Sequence, residues 1–283
     1  MAARLSGRAL CAESSRTTPA VLERWHHVDG ADGRAMKHRA IVTGGGRGIG
    51  RAIVDRLCAD GAQVLTCGRG ERPADLPTDV RWVRADIAVP GQAEDVVRWA
   101  VAELGGISLL VNNAGVQVEK SISDSTDEDW DLVVDTNCRG VFAMCRAALP
   151  QMAEQGGVII NIGSISGNVS DPSMPLYNAS KAFVHSLTRS IAIDHGPLVR
   201  CNAVSPGWIA TGMADDAFAV AADPLAAKAD GLARHPAGRL GTPQDVAHVV
   251  AWLASADAAF VTGQCITVDG GLTAASPLNP YLF

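Results

Sequence analysis

The chain has 283 residues, with 24 Lys and Arg against 30 Asp and Glu, a net charge of −6. This acidic balance argues against a nucleic-acid partner or an anionic membrane surface, since both need clustered cations, while 47% apolar and 19% charged residues are the composition of a globular protein. No stretch stays apolar long enough to read as a membrane span, and Cys11, Cys58, Cys67, Cys138, Cys145, Cys201 and Cys265 are scattered without a C-x-x-C pair, against a disulfide framework or zinc ribbon and in keeping with a reducing cytoplasm.

Residues 1–36 carry five arginines and four acids, with no apolar signal core and no steady period. They read as a poorly ordered extension with Met36 as a candidate start. Residues 37–283 read as a single domain.

From Lys37 onward, strand and helix patterns alternate. The β-branched run Arg39–Thr43 leads into Gly44-Gly45-Gly46-Arg47-Gly48-Ile49-Gly50. Ile49, Ala52, Ile53 and Leu57 follow at helical spacing, Gly61 stops the helix, and 64–67 is a second strand. Glycines between a strand and a helix let backbone N–H groups approach a pyrophosphate at the helix's positive end, so this βαβ unit predicts a dinucleotide site. Where an NAD site usually has a carboxylate for the ribose 2′-OH, the second strand ends in Gly68-Arg69. Arg69, with Arg47 from the turn, would grip a 2′-phosphate. NADP(H) is therefore expected over NAD(H).

A third strand is expected at 83–87, with Asp86 at its end either accepting from the adenine amino group or capping the helix that starts near Gly91. The strand 108–111 ends in Asn112-Asn113-Ala114-Gly115, whose amides can tie neighbouring strand ends together. The segment 130–152 reads as one amphipathic helix with Trp130, Val133, Val134, Cys138, Val141, Phe142, Cys145, Leu149 and Met152 on its apolar face. Asn137 falls on that face, as a hydrogen-bond hub or as part of a polar relay. The strand 158–162 runs into Gly163-Ser164-Ile165-Ser166-Gly167. Beyond it, Tyr177 and Lys181 stand four apart on a predicted helix. A neighbouring ammonium stabilises a phenolate, which proton exchange with an alcohol or carbonyl requires.

Together these motifs resemble the short-chain dehydrogenase/reductases. The resemblance runs from about Lys37 to Ala274. Thr43 to Gly50 is similar to the family's T-G-x-x-x-G-x-G turn, and 112–115 to its N-N-A-G corner. Asn137, Ser164, Tyr177 and Lys181 stand in the order of its catalytic tetrad. The stretch 202–209 is similar to its carboxamide-facing segment, and 268–271 to its last strand and turn.

The resemblance implies one doubly wound parallel sheet of about seven strands with helices on both faces, and a metal-free hydride transfer between NADP(H) and a secondary alcohol/ketone pair. Tyr177 would exchange the proton, Lys181 would lower its pKa and bind the nicotinamide ribose, and Ser164 would hold the substrate oxygen. Asn137 would anchor a water, which favours the relay. Cofactor contacts are implied at Thr43, Gly44, Arg47, Gly48, Ile49, Gly50, Arg69, Asp86, Ile87, Asn112, Ala114, Gly115, Pro206, Gly207, Ile209 and Thr211, besides Tyr177 and Lys181. The segment 211–236 resembles a mobile lid, against the plainer reading of a surface helix. A homotetramer, or a homodimer, is implied as the assembly. One rival is a 3-oxoacyl carrier-protein reductase, weakened by Glu154-Gln155-Gly156-Gly157 where basic docking residues would stand, with Arg189 left for such a patch. The other rival, a cofactor sensor without turnover, has no use for the acid–base residues.

Overall fold

The structure is a computed structural model that describes residues 38–274; the extension expected at 1–36 lies outside the described residues. Seven strands, β1 (Arg39–Thr43), β2 (Gln63–Gly68), β3 (Arg81–Arg84), β4 (Leu109–Asn112), β5 (Gly157–Ile162), β6 (Val199–Pro206) and β7 (Cys265–Val268), form one sheet in the order β3-β2-β1-β4-β5-β6-β7. Every pairing is parallel. Helices α1 (Gly48–Ala59), α2 (Gln92–Leu104), α3 (Asp127–Val134), α4 (Val141–Met152), α5 (Pro175–His195), α6 (Gly212–Ala219), α7 (Pro224–Ala233) and α8 (Pro243–Ala254) connect the strands.

A parallel sheet is covered on both faces, so its strands are apolar at consecutive positions, and alternate side chains serve different layers. Ala40 and Val42 of β1, Leu109 and Val111 of β4 and Val158 and Ile160 of β5 pack under α1 and α8, against Ile53, Leu57, Val250 and Leu253. Ile41, Leu110 and Ile159 point the other way, onto Val96 of α2, Met144 of α4 and Val184 of α5. Strand order reverses between β1 and β4, and ligands of open α/β sheets gather at such a switch point, outside the carboxyl ends of the strands.

Two sequence expectations are corrected here. The third strand spans Arg81–Arg84, which leaves Asp86 in the loop beyond it. The helix expected over 130–152 is α3, a π-helical turn Asp135–Gly140 and α4. Its buried stripe runs through Val133, Thr136, Asn137, Gly140, Val141, Met144, Cys145, Ala148 and Met152, while Trp130 and Phe142 are exposed. Small residues carry the contact: a Cβ on Gly140 would stand 2.9 Å from the side chain of Ile87. A count of large apolar residues does not register such a position.

Candidate active site

The turn between β1 and α1 fits a pyrophosphate. Gly44 and Gly48 have φ of +69° and +56°, a region that L side chains rarely enter. Arg47 is the N-cap of α1 but makes no side-chain cap bond, and the first turn carries no acid. The helix therefore presents backbone donors at its positive end without a side-chain acceptor. Gly50 is demanded by packing, since a Cβ there would lie 2.3 Å from the Gly44 carbonyl oxygen. The Ile49 side chain is half-buried against the α1/α8 core.

Arg47 and Arg69 are exposed beside this turn and at the end of β2, and among the described residues neither side chain has a hydrogen bond or ion pair. Arg84, which sequence reasoning passed over, lies near them; it donates to the Arg69 carbonyl oxygen at 3.1 Å and pairs with Glu71 at 2.9 Å. Trp82 was also missed. Its ring packs where a side chain on Gly68 would stand, and its indole nitrogen is buried without a partner. Asp86 does not cap α2, whose N-cap is Gly91; one Asp86 carboxylate oxygen accepts from Ala88 N at 3.0 Å. Ile87 is buried, with its side chain in the core.

The corner after β4 ties strand ends together through its two amides, as the sequence suggests. Asn112 faces away from the cleft: its amide donates to Asn161 Oδ1 on β5 at 2.8 Å and to Cys145 Sγ. Thr43 is fully buried, and its hydroxyl accepts from the backbone of Asn113 and Ala114, each at 3.0 Å. The side chains of Asn112 and Thr43 therefore build the floor of the site. Asn113 holds the glycine turn, donating to Thr43 O at 2.9 Å and Gly44 O at 3.2 Å. A Cβ on Gly115 would enter the space between Asn137 Oδ1 and Lys181 Nζ, at 3.4 and 3.5 Å.

The structure brings Ser164, Tyr177, Lys181 and Asn137 together. Ser164 follows β5 and caps a short 3₁₀ turn, accepting from Ser166 N at 3.1 Å. Tyr177 lies in the first turn of α5, which opens with Pro175, and is hydrogen-bonded to Ser164. One turn on, Lys181 is buried, with Nζ 5.4 Å from the Tyr177 ring centre and donating to Ile162 O at 2.9 Å. Asn137 is 1% exposed; its Oδ1 accepts from Val116 N at 2.9 Å, and its Nδ2 donates to Val116 O at 2.8 Å and Ser180 Oγ at 3.0 Å. Ser180 donates to Tyr177 O at 2.8 Å, so this amide also steadies the start of α5.

Burial pushes the Tyr177 phenol up to about 12, the Ser164 hydrogen bond acting against this and the charge of Asp171 adding to it. Burial likewise lowers Lys181 to about 8, with Cys138 opposing. Burial thus disfavours the charged form of both side chains.

Comparison with known proteins decides the family. Residues 44–273 match the family model adh_short_C2, described as enoyl-(acyl carrier protein) reductase. The chain belongs to the short-chain dehydrogenase/reductase family. It is 38% identical to 2-(S)-hydroxypropyl-CoM dehydrogenase 3 of Xanthobacter autotrophicus, over 84% of this chain and 98% of that protein. It is also 38% identical to the NADP-dependent (R)-specific alcohol dehydrogenase of Lentilactobacillus kefiri, over 83% and 96% of the two chains. The ligand-free aldohexose dehydrogenase of Thermoplasma acidophilum has the same fold, with a TM-score of 0.80 and 35% identity, covering 85% of this chain and 95% of that one. The protein is thus an NAD(P)-binding oxidoreductase that interconverts alcohols and ketones by the tyrosine–lysine mechanism general to its family. Among the described residues, no helix is long and apolar enough to cross a membrane.

In this short-chain dehydrogenase/reductase the far wall of the cleft is the end of β6. A Cβ on Gly207 would lie 2.7 Å from Asp269, so the strand passes tightly against the turn after β7. Pro206 ends β6, and the Ile209 side chain is buried in the α1/α8 core. Thr211 starts the segment expected as a lid, and its methyl lies 3.6 Å from a Cβ built on Gly48, beside the glycine turn. The segment holds two short helices, α6 and α7, in place of one surface helix. Phe218 anchors α6 by stacking on Trp208 at 4.8 Å, whereas Val220 and Leu225 are exposed and α7 buries nothing.

Proposed function

We propose that the protein is an NADP(H)-preferring reductase of ketones, equally the dehydrogenase of the corresponding secondary alcohols, with Tyr177, Ser164, Lys181 and Asn137 as its working residues. The observation that carries this reading is the meeting of Ser164, Tyr177 and Lys181 at the carboxyl edge of the sheet, next to the glycine turn. The nicotinamide, when bound, gives or takes the hydride. Tyr177 hands its proton to the substrate oxygen in reduction and recovers it in oxidation. Ser164 positions that oxygen. Lys181 holds its ammonium beside the phenol, and Asn137 keeps the two ends of the site in register through Val116 and Ser180.

The preference for NADP(H) rests on Arg47 and Arg69, both exposed and free of partners among the described residues, and on Gly68, which leaves no carboxylate to repel a 2′-phosphate. The NADP-dependent alcohol dehydrogenase relative agrees with it. The exposed apolar points of 211–236 (Met213, Val220, Leu225 and Leu232) against the cations Lys228 and Arg234 favour a neutral substrate over a strongly anionic one. By family resemblance the assembly is a homotetramer or homodimer, in which a second copy would cover exposed Phe142 and Phe183.

The test is NADPH and NADH consumption by wild type and Tyr177→Phe, across simple ketones, keto-sugars and a β-ketoacyl thioester. Turnover of one class with NADPH, abolished in Tyr177→Phe while NADPH affinity stays within a few fold, is expected. Retained turnover in that variant refutes the role of Tyr177. Tight NADPH binding without turnover on any class returns the protein to the sensor reading.

A further inference from the structure

The loop between β4 and α3 carries two polar side chains, Gln117 and Glu119, that the proposed reaction does not use. Their direction follows from Asn137, whose amide accepts from Val116 N at 2.9 Å and donates to Val116 O at 2.8 Å. A single amide meets both backbone groups of a residue where that residue is extended, because its N–H and C=O then point the same way. The side chains on either side of an extended residue share a face. At Gly115 that face is the catalytic one, since a Cβ there would stand 3.5 Å from Lys181 Nζ. Gln117, two residues on, therefore faces the same cleft.

Gln117 and Glu119 are half-buried, and Gln117 Nε2 donates to Glu119 Oε1 at 2.8 Å. A carboxylate only accepts, so this bond sets the amide with its nitrogen toward Glu119 and leaves its carbonyl oxygen for a ligand. Glu119 has no ion pair among the described residues. Its neighbour Lys120 turns the other way, onto Asp129 of α3 at 2.6 Å. This wall of the cleft is thus a neutral acceptor backed by an unpaired carboxylate. An anionic substrate meets the charge of Glu119, and a cationic one meets Lys181 on the face that Gln117 shares. A hydroxyl meets an acceptor and no like charge.

We propose that Gln117, oriented by Glu119, is a specificity-determining residue that accepts from a hydroxyl of the substrate close to its reacting carbonyl, so that the protein takes hydroxylated ketones, of the keto-sugar or polyol class, over plain or charged ones. This rests on the reductase reading above and narrows it to one substrate class.

Four ketones on one frame test it. 2-Pentanone, 4-hydroxy-2-butanone, 4-amino-2-butanone and levulinate differ in ending on a methyl, hydroxyl, ammonium or carboxylate. With NADPH, the wild type should favour the hydroxyketone over 2-pentanone by about tenfold or more in kcat/KM, since a site that accepts from a hydroxyl discriminates against its absence. Gln117→Met, of similar length, should bring that ratio to about one. Glu119→Gln should raise levulinate relative to 2-pentanone by about tenfold. A hydroxyketone ratio unchanged in Gln117→Met overturns the proposal, as does a wild type that prefers any of the other three ketones. Should Gln117→Met fail to fold, Glu119→Gln, which frees the amide to turn, must lower the hydroxyketone ratio for the proposal to stand. Saturation-transfer NMR of 1,3-butanediol, the alcohol of the hydroxyketone, on NADPH-loaded protein gives a reading without turnover. Contacts seen in the wild type and lost in Gln117→Met uphold the acceptor even where no ketone reacts, which would then count against the reductase alone. Contacts absent from the wild type, or kept in Gln117→Met, overturn the proposal.

Discussion

The ring of Trp82 stands where a side chain on Gly68 would begin: a Cβ there would lie 2.8 Å from its Cη2 atom. The same ring lies 3.3 Å from the Cβ position of Gly46, so the indole is wedged between the glycine turn and the end of β2. An acid at position 68 would accept from a ribose 2′-OH and favour NAD(H), but here it must first displace the indole. Overpacking of that kind costs about 1–3 kcal/mol. Gly68→Asp alone should therefore lower the melting temperature and weaken NADPH binding without gaining NADH. Gly68→Asp with Trp82→Val should recover stability and bind NADH. Calorimetric Kd values for both cofactors check this, and a fully stable single variant that binds NADH tightly would contradict it.

Arg69 has no partner to lose among the described residues, so its removal should be felt mainly by a ligand. Arg69→Asp is expected to weaken NADPH by about tenfold or more, equivalent to about 1.4 kcal/mol, and to leave NADH nearly unchanged. Because a charge–phosphate contact is screened, the NADPH Kd of the wild type should rise with salt more steeply than that of the variant. Equal losses for both cofactors would mean that Arg69 does not read the 2′-phosphate.

What was legible in the sequence was set by period and by glycine. The alternation of β1, β4 and β5 between two apolar layers, and the stop at Gly61, are local signals that tertiary packing reinforces. The Tyr177–Lys181 spacing needs only a helix to bring the two side chains together. Trp82 was not legible as a site residue, because its importance depends on what lies across a turn and a neighbouring strand. The π turn at Asp135–Gly140 was invisible for a related reason. Its buried positions include Thr136, Asn137 and Gly140, chosen for close approach and hydrogen bonding and not for hydrophobicity. Asn112 sits in a motif beside the cleft, and its amide ties β4 to β5 from within the core.

Asn137 satisfies both backbone groups of Val116, and no water is needed for either bond. Asn137→Leu keeps the volume but removes the side-chain partner of both backbone groups of half-buried Val116, at up to about 1–3 kcal/mol each. A loss of several kcal/mol in urea unfolding is expected. Ser180→Ala, which removes one of the three amide contacts, should cost clearly less. Comparable losses in the two variants would show that Asn137 stabilises the chain through Ser180 and not through Val116.

His185 makes stability depend on pH from beneath the catalytic serine. Its ring sits between Ser205 Oγ, 2.9 Å from Nε2, and Asn168 Oδ1, 3.2 Å from Nδ1. A Cβ on Gly163 or Gly167, either side of Ser164, would come within 2.5 or 2.6 Å of that ring. Burial, with the charges of Lys181 and Arg189 adding to it, lowers His185 from 6.5 to about 4. The sign follows. Above 6.5 the residue is neutral in both folded and unfolded chains, and its contribution is complete. Between 6.5 and about 4 only the unfolded chain takes up the proton, so stability falls as pH falls, by about 1.4 kcal/mol per unit from this one group. His185→Gln should be less stable at neutral pH but lose less on acidification, so the two urea-midpoint curves converge. Parallel curves through that window would show that the imidazole protonates as readily in the folded protein as in the unfolded one.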